Sequence, residues 1–366
     1  VTESSKDSQA AEASESAVRT HLGVIDIGSN AIRLQVVRLF EDGRHTVVLD
    51  DRDTVRLGSE VFRTGVVSDE AASAVVKIVA RFARAAQGRG VDGIRAVATS
   101  ALREARNSAE VLRAIEENSG ISVEVISGER EAEIIARGVL TGYAGLPRNL
   151  VLADIGGGST EVSVIGDGRI QLGVSLPLGS SRLTEMFCRT DPLSHEDESS
   201  LREFIRAELS RSIPASLAPV RLLIGSAGTF GAVGNFIRRR VSTSTGQAAR
   251  EKNFQGSPRF TLQELTRACA CLTHMSLEQR RKTRGIEERR AEIIVAGSIL
   301  LQELAAYFSV EKFRGARRGL RDGLMLEELE RRGVSLPPFL PPPPAKPKRQ
   351  SASGQSRSRG RHRAKR

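Results

Sequence analysis

The sequence predicts an α/β protein in which one folding unit is built twice, and two observations carry that reading. The triplet Asp-Ile-Gly occurs at residues 26–28 and again at 154–156, a whole domain's length apart. Each triplet closes a short apolar strand and is followed by two further strand-like stretches, with helical patterns after them. A chain of 366 residues has room for two domains, each able to bury a core of its own.

The elements follow in order. GVIDIG (23–28), AIRLQVVRL (31–39) and HTVVLD (45–50) read as strands, with Asp42-Gly43 turning the chain between the last two. Ser68, followed by Asp69 and Glu70, opens a helix whose Val75, Val79, Phe82 and Ala86 share one face. GIRAVATS (93–100) is a strand, and Asn107 or Ser108 caps a helix that stops at Gly120. SVEVISG (122–128) then leads into the helical EREAEIIARGVL (129–140). The second unit opens with NLVLADIG (149–156), STEVSVIG (159–166) and RIQLGVSLPLG (169–179), with Asp167-Gly168 at the hairpin. A helix near 196–218 precedes VRLLIGSAGTFGAVGNFIRRR (220–240), a strand that enters a glycine-rich turn and then a helix. A polar surface loop over 241–258, helical patterns over 261–283 and 287–308, and a closing helix over 317–333 complete the unit. Residues 1–20 and 334–366 lack apolar periodicity and are expected to be disordered, which sets the domains at 21–147 and 148–333.

The net charge of +11 suggests a nucleic-acid binder until its position is read. From Pro337 onward there are nine Lys and Arg residues and no acid, so the rest of the chain is close to neutral. A near-neutral body with a basic tail differs from a basic domain; the tail is expected to attract polyanions, whether polyphosphate or nucleic acid. No apolar run reaches the roughly 18–20 residues of a membrane span. Residues 1–20 also lack the apolar centre of a signal peptide, so a cytoplasmic protein with no membrane partner is expected. Cys188, Cys269 and Cys271 form no CxxC pair, which supports neither a disulfide framework nor a zinc site.

The stretch Gly156-Gly157-Gly158-Ser159-Thr160 holds more glycine and hydroxyl than a hairpin turn needs. Successive N–H groups with no Cβ in the way can converge on an anion, with a merely flexible turn as the less favoured alternative. Asp154 lies beside this stretch. A carboxylate next to a phosphate is repulsive unless a metal ion or a water stands between them, which points to Mg²⁺ (or Mn²⁺) or to orientation of the attacking water, while an Asx-turn is the structural alternative. Asp26, Ser29 and Asn30 in DIGSN (26–30) form the same device in reduced form; alone this is ordinary turn chemistry, but as one of two duplicated turns it is expected to face the first across a cleft. GSAGTFG (225–231), with Gly228 and Thr229, sits where a strand meets a helix N-terminus. This cluster lacks GxGxxG spacing, and GxxxxGK[ST] occurs nowhere in the chain. Glu131 stands at a helix start, where capping and catalysis are equally compatible with its spacing, and Arg103 by itself reads as a solvated helix residue.

Together DIGSNAIRL, ATSALREARN, VISGEREAEIIARGV, LADIGGGSTEVSVI, GSAGTFGAV, RRAEIIVAGS and RGLRDGLM resemble, in order and spacing, the exopolyphosphatase / guanosine pentaphosphate phosphatase family over about residues 21–330. The resemblance implies two ribonuclease H-like (actin-like ATPase) domains facing across a cleft, as in the sugar kinase, Hsp70 and actin superfamily. It implies metal-dependent hydrolysis of terminal phosphate from inorganic polyphosphate, with the 5′-phosphatase reaction on guanosine pentaphosphate (pppGpp) as runner-up. A non-catalytic polyphosphate- or nucleotide-binding regulator is the alternative from another class. Carried over by residue, Glu131 activates the hydrolytic water and Gly156, Gly157, Gly158, Ser159 and Thr160 cradle phosphate. Asp154 and Glu161 take the metal and water position, and Arg103 becomes a phosphate clamp from the first domain. Asp26, Ser29 and Asn30 line the facing turn. Ala31 stands where many relatives have serine, and GSAGTFGAV replaces a more usual GTGGT-like loop, so Gly228 and Thr229 are the least fixed of these assignments. A homodimer is the expected assembly.

Overall fold

The computed structural model describes residues 18–40, 45–143, 145–217, 220–244 and 257–333. The expected Asp42-Gly43 turn, the expected disorder of residues 1–17 and 334–366, and most of the expected polar loop (245–256) lie outside them.

The first unit runs β1 (Val18–Ile27), β2 (Ala31–Phe40), β3 (His45–Thr54), α1 (Leu57–Thr64), α2 (Asp69–Gln87), β4 (Gly93–Ala98), α3 (Ser100–Glu104), α4 (Ser108–Ser119), β5 (Val123–Val125) and α5 (Gly128–Leu140). The second runs β6 (Leu150–Ile155), β7 (Thr160–Gly166), β8 (Arg169–Leu176), α6 (Ser180–Phe187), α7 (His195–Ser212), β9 (Leu223–Ser226), α8 (Ala227–Ser244), β10 (Arg259–Thr261), α9 (Leu262–His274), α10 (Leu277–Lys282), α11 (Ile294–Tyr307), β11 (Lys312–Gly315) and α12 (Leu320–Arg331).

The duplication is visible in the sheets. The first has the order β3-β2-β1-β4-β5 and the second β8-β7-β6-β9-β11, with β10 added at its edge. In both, the three leading strands pair antiparallel and the next two join parallel. Parallel entry requires a crossover, and helices supply it: α2 between β3 and β4, α6 and α7 between β8 and β9. Ligands in open sheets of this kind gather beyond the carboxyl ends of the strands, and the Asp-Ile-Gly triplets end β1 and β6 at that position.

Local chemistry accounts for the elements. Ser68 accepts the N–H of Ala71 and caps α2, whose Val75, Val79, Phe82 and Ala86 are all buried against the first sheet, as their spacing predicts. Burying such a side chain stabilises by roughly 1.5–3 kcal/mol. β1 begins at Val18, five residues before the predicted strand and inside the stretch expected to be disordered, and β3 continues to Thr54. The predicted 261–283 helix is two helices, each opened by its own capping box at Thr261 and Ser276. Residues 241–244, expected in a loop, extend α8.

Two helices join the halves. α12 lays Leu324, Met325 and Leu329 on Leu22, Val24, Val37 and Leu39 of the first sheet. α5 faces Ile135, Ala136, Val139 and Leu140 toward β6 and β9 of the second. They cross where a Cβ on Gly138 would lie 2.4 Å from the Gly319 carbonyl oxygen and 2.6 Å from the Gly323 nitrogen, so only glycine fits at the crossing. This contact braces the floor of the cleft.

Candidate active site

The turns after β1 and β6 are the same structure. Gly28 N–H donates to Ala31 O at 3.1 Å, and Gly156 N–H donates to Ser159 O at 3.0 Å. They face each other: a Cβ on Gly157 would lie 3.2 Å from Asn30 Cβ, and one on Gly158 would lie 2.6 Å from Ser29 Oγ and 2.7 Å from Ser100 Oγ. None of the three consecutive glycines has a positive φ. The run is required by close approach between the domains rather than by backbone conformation. The first turn of α6 takes up the loop's carbonyls, Ser180 N–H on Gly156 O and Ser181 and Arg182 N–H on Gly157 O. The N–H groups of Gly157, Gly158 and Ser159 have no protein acceptor among the described residues, as an anion cradle requires.

Between the turns lies a cavity of about 530 Å³. Asp26, Glu131, Asp154 and Glu161 all reach it. Burial raises the pKa of each. For Glu161, burial and then the Asp154 carboxylate push it up to about 7, against hydrogen bonds from Ser175 and Ser159. Burial and then the Glu161 carboxylate hold Glu131 well above the ordinary carboxyl range, with the Arg103 guanidinium pulling it back. Asp154 Oδ2 accepts from Ser226 Oγ at 2.5 Å.

Glu131 is not a cap. Ser127 caps α5 by accepting Arg130 N–H at 3.2 Å, and the Glu131 carboxylate turns inward to Arg103. Three expectations need correction. Arg103 is not a solvated helix residue: its guanidinium donates to Ile126 O, Glu131 Oε2 and Ser175 Oγ, and it is not among the residues that line the cavity. Thr160 is fully buried with its hydroxyl on Leu178 O, because alternation along β7 that points Glu161 into the cavity points Thr160 away. Thr229 is buried too, with Oγ1 3.1 Å from Ser180 Oγ. Gly228 does line the cavity, and its missing Cβ makes room for Arg290: a Cβ there would lie 1.6 Å from Arg290 Nη2.

Sequence reasoning missed the opposite wall. Arg33, Arg52, Arg289, Arg290, Arg317, Arg318 and Arg321 all line the cavity. Burial, and then the charges of Arg33 and Arg289, lower Arg52 to about 10; burial, Arg52 and Arg33 lower Arg290 to about 10. Both are cations at neutral pH. Arg321 is paired with Asp50 at 2.7 Å, but Arg290, buried and 8% exposed, has no hydrogen-bond or ion-pair partner among the described residues. Unpaired buried cations that repel each other are costly unless an anion joins them. The signal was present as the doublets 289–290 and 317–318 with Arg321 in a body otherwise close to neutral.

The carboxyl wall fits a divalent ion of restricted kind. Among the described residues no group of three or more His, Cys, Asp or Glu is arranged to hold a metal. Asp154 and Glu161 would offer two carboxylates at most, leaving the rest of a divalent ion's coordination shell to water and phosphate. A second cavity of about 310 Å³ lies away from these groups, against β4 and α12, and holds none of them.

The comparisons with known proteins agree with this geometry. Exopolyphosphatase 1 of Mycobacterium leprae is 30% identical over 311 residues, covering 84% of this chain and 89% of the relative. Exopolyphosphatase 2 of Mycobacterium tuberculosis is 30% identical over 327 residues, covering 84% and 98%. The crystal structure of an exopolyphosphatase from Cytophaga hutchinsonii superposes with a TM-score of 0.75 at 26% identity, covering 86% of this chain and 99% of that one. The Aquifex aeolicus Ppx/GppA family member gives 0.71 at 25%, covering 86% and 99%. The two facing units are thus the two-domain, actin-like arrangement of those structures. Residues 36–332 match the Ppx/GppA phosphatase family, and the chain belongs to it.

Proposed function

We propose that the chain is an exopolyphosphatase that removes terminal phosphate from inorganic polyphosphate. The arginine wall carries this reading. A site for one phosphoanhydride needs a cradle and a base, whereas seven arginines extending from the cradle match a repeating polyanion. Among the described residues no aromatic ring lines the cavity to stack on a guanine base.

In the reaction, the N–H groups of Gly157, Gly158 and Ser159 hold the oxygens of the terminal phosphoryl group. Glu131 takes a proton from the attacking water as the water oxygen bonds to phosphorus. The P–O anhydride bond opposite breaks, and the electron pair leaves on a polyphosphate one unit shorter. Arg103 fixes the Glu131 carboxylate and favours its ionised form. Asp154 and Glu161 would hold a divalent ion, Mg²⁺ or Mn²⁺, which when bound would supply charge neutralisation at the phosphoryl oxygens.

Phosphate release by the full chain from long polyphosphate, tripolyphosphate and pppGpp tests the reading. The expected order of kcat/KM is long polyphosphate, then tripolyphosphate, then pppGpp; a preference for pppGpp transfers the assignment to the nucleotide, and binding without release makes the chain a regulator. Full activity in excess chelator would remove the metal. A cytoplasmic homodimer belongs to the same proposal; the free thiols of Cys188, Cys269 and Cys271 suit a reducing compartment, and sedimentation of the full chain tests the assembly.

A further inference from the structure

α3 is five residues long and ends on two charged side chains that diverge. Arg103 turns to Glu131, at 2.9 Å. Glu104 turns the other way, across the cleft, to Arg182 on α6 of the second domain, whose Nη2 lies 2.6 Å from Oε1 and 2.8 Å from Oε2. The same guanidinium donates from Nε to the Gly158 carbonyl at 2.8 Å. Its plane covers the Phe62 ring of α1, 3.6 Å from Cζ to the ring centre. The Arg182 side chain is only 12% exposed. It is not among the residues that line the cavity.

Each contact has a separate consequence. The bond to Gly158 O fixes the peptide at the end of the glycine run. The carboxylate of Glu104 holds the guanidinium from the first domain, and Ser100 Oγ, 3.2 Å from Glu104 Oε1, steadies that carboxylate. Phe62 packs beneath the guanidinium and against Gly158, where a Cβ would lie 2.2 Å from Cζ. The catalytic base and the phosphate cradle are therefore both tied to α3, one through Arg103 and the other through Arg182. A lysine in place of Arg182 has one nitrogen and cannot make the Nε and Nη2 bonds together.

We propose that Arg182 is a positioning residue, an interdomain strut through Glu104 and Phe62 that sets the Gly156–Gly158 cradle at the working distance from Glu131. In-line displacement is sensitive to displacements near 1 Å, so loss of the strut is expected to lower turnover by about 10–100-fold while substrate affinity changes little.

This inference rests on the phosphohydrolase reading, and the test separates the two. Phosphate release from tripolyphosphate is measured for the parent chain, Arg182→Gln, Arg182→Lys, Glu131→Gln and the double variant Glu131→Gln/Arg182→Gln. Backbone hydrogen exchange at residues 156–160 is followed in parallel. The strut requires that kcat fall about 10–100-fold in Arg182→Gln with KM within about threefold. It also requires that lysine fail to restore kcat, that exchange at 156–160 rise, and that Arg182→Gln add little to the loss already caused by Glu131→Gln. Rescue by lysine, a full multiplicative loss in the double variant, or unchanged exchange overturns it. If Arg182→Gln does not fold, Glu104→Gln takes its place, and parent-like kcat and exchange in that variant overturn the proposal. A parent chain that releases no phosphate defeats the assigned function, and the exchange result alone then decides the strut.

Discussion

Arg103 Nη1 donates to Glu131 Oε2 at 2.9 Å across the floor of the cleft, and this contact opposes the burial and the Glu161 charge that push the Glu131 pKa up. A base must be ionised to take a proton, so activity is lost as pH falls through the pKa of Glu131 in the folded protein. Arg103→Gln removes the one cation bonded to that carboxylate. The pKa then rises further, and the acid limb of the kcat profile is expected to move to higher pH by about 1–2 units, the worth of a charged hydrogen bond. An acid limb that stays in place, measured from about pH 5 to 9, would detach Arg103 from the base.

Glu161 gives a stability effect of the opposite sign to the usual carboxylate. Its pKa is pushed from 4.5 up to about 7, so the folded protein binds this proton more tightly than the unfolded chain. Stability from this group is full below the unfolded value and declines as pH rises from about 4.5 to about 7. Glu161→Gln, which carries no charge to desolvate, is expected to be more stable than the parent above about pH 7 by roughly 1–3 kcal/mol, with the advantage gone near pH 4. Unfolding in chelator at the two pH values checks this, and phosphate release from the same variant is expected to fall. A variant less stable than the parent at high pH would mean that the carboxylate is better accommodated than its burial implies.

These two acids also show what the sequence made legible. Asp154 and Glu161 flank a glycine run whose composition already exceeded the needs of a turn, and the duplicated Asp-Ile-Gly placed the facing loop. Those signals are local, and local patterns survive in a string of letters. Thr160 was misjudged because composition does not carry strand parity; the side chain next to a cavity residue on β7 points away from the cavity. Arg103 looked solvated because its partner, Glu131, belongs to another helix. The arginine wall was dispersed over β2, β3, the segments before α11 and α12 and the first turn of α12, and its residues become neighbours only once both sheets are formed. α1 and α6, eight residues each, were passed over because two turns of helix give too few positions for periodicity to stand out.

Arg290 should show the tension between stability and binding. Its guanidinium is buried near the like charges of Arg52 and Arg33 with no hydrogen-bond or ion-pair partner among the described residues, and Glu287 offsets that repulsion only in part. Arg290→Met keeps much of the volume and removes the charge. In the absence of phosphate it is expected to melt higher than the parent, while KM for polyphosphate rises by about 10–100-fold, the loss of a charged hydrogen bond. Polyphosphate is expected to raise the melting temperature of the parent more than that of the variant. A variant that melts lower and binds normally would show that Arg290 is a packing residue.

The basic segment after Pro337 is a separate case, because it lies outside the described residues and only its charge speaks. Nine cations without an acid attract a polyanion through counterion release, whichever polyanion is present. If polyphosphate is the substrate, one part of a long chain can rest on this segment while its end occupies the cavity, which raises the local concentration of ends. Tripolyphosphate is too short to reach both. A chain ending at Gly333 is therefore expected to show a higher KM for long polyphosphate, little change for tripolyphosphate, and a weaker dependence of KM on salt, with kcat unaltered. The comparison is made at low ionic strength, where screening is least. Equal KM values for the full and shortened chains at every polyphosphate length would exclude tethering and leave nucleic acid as the polyanion for which the segment is suited.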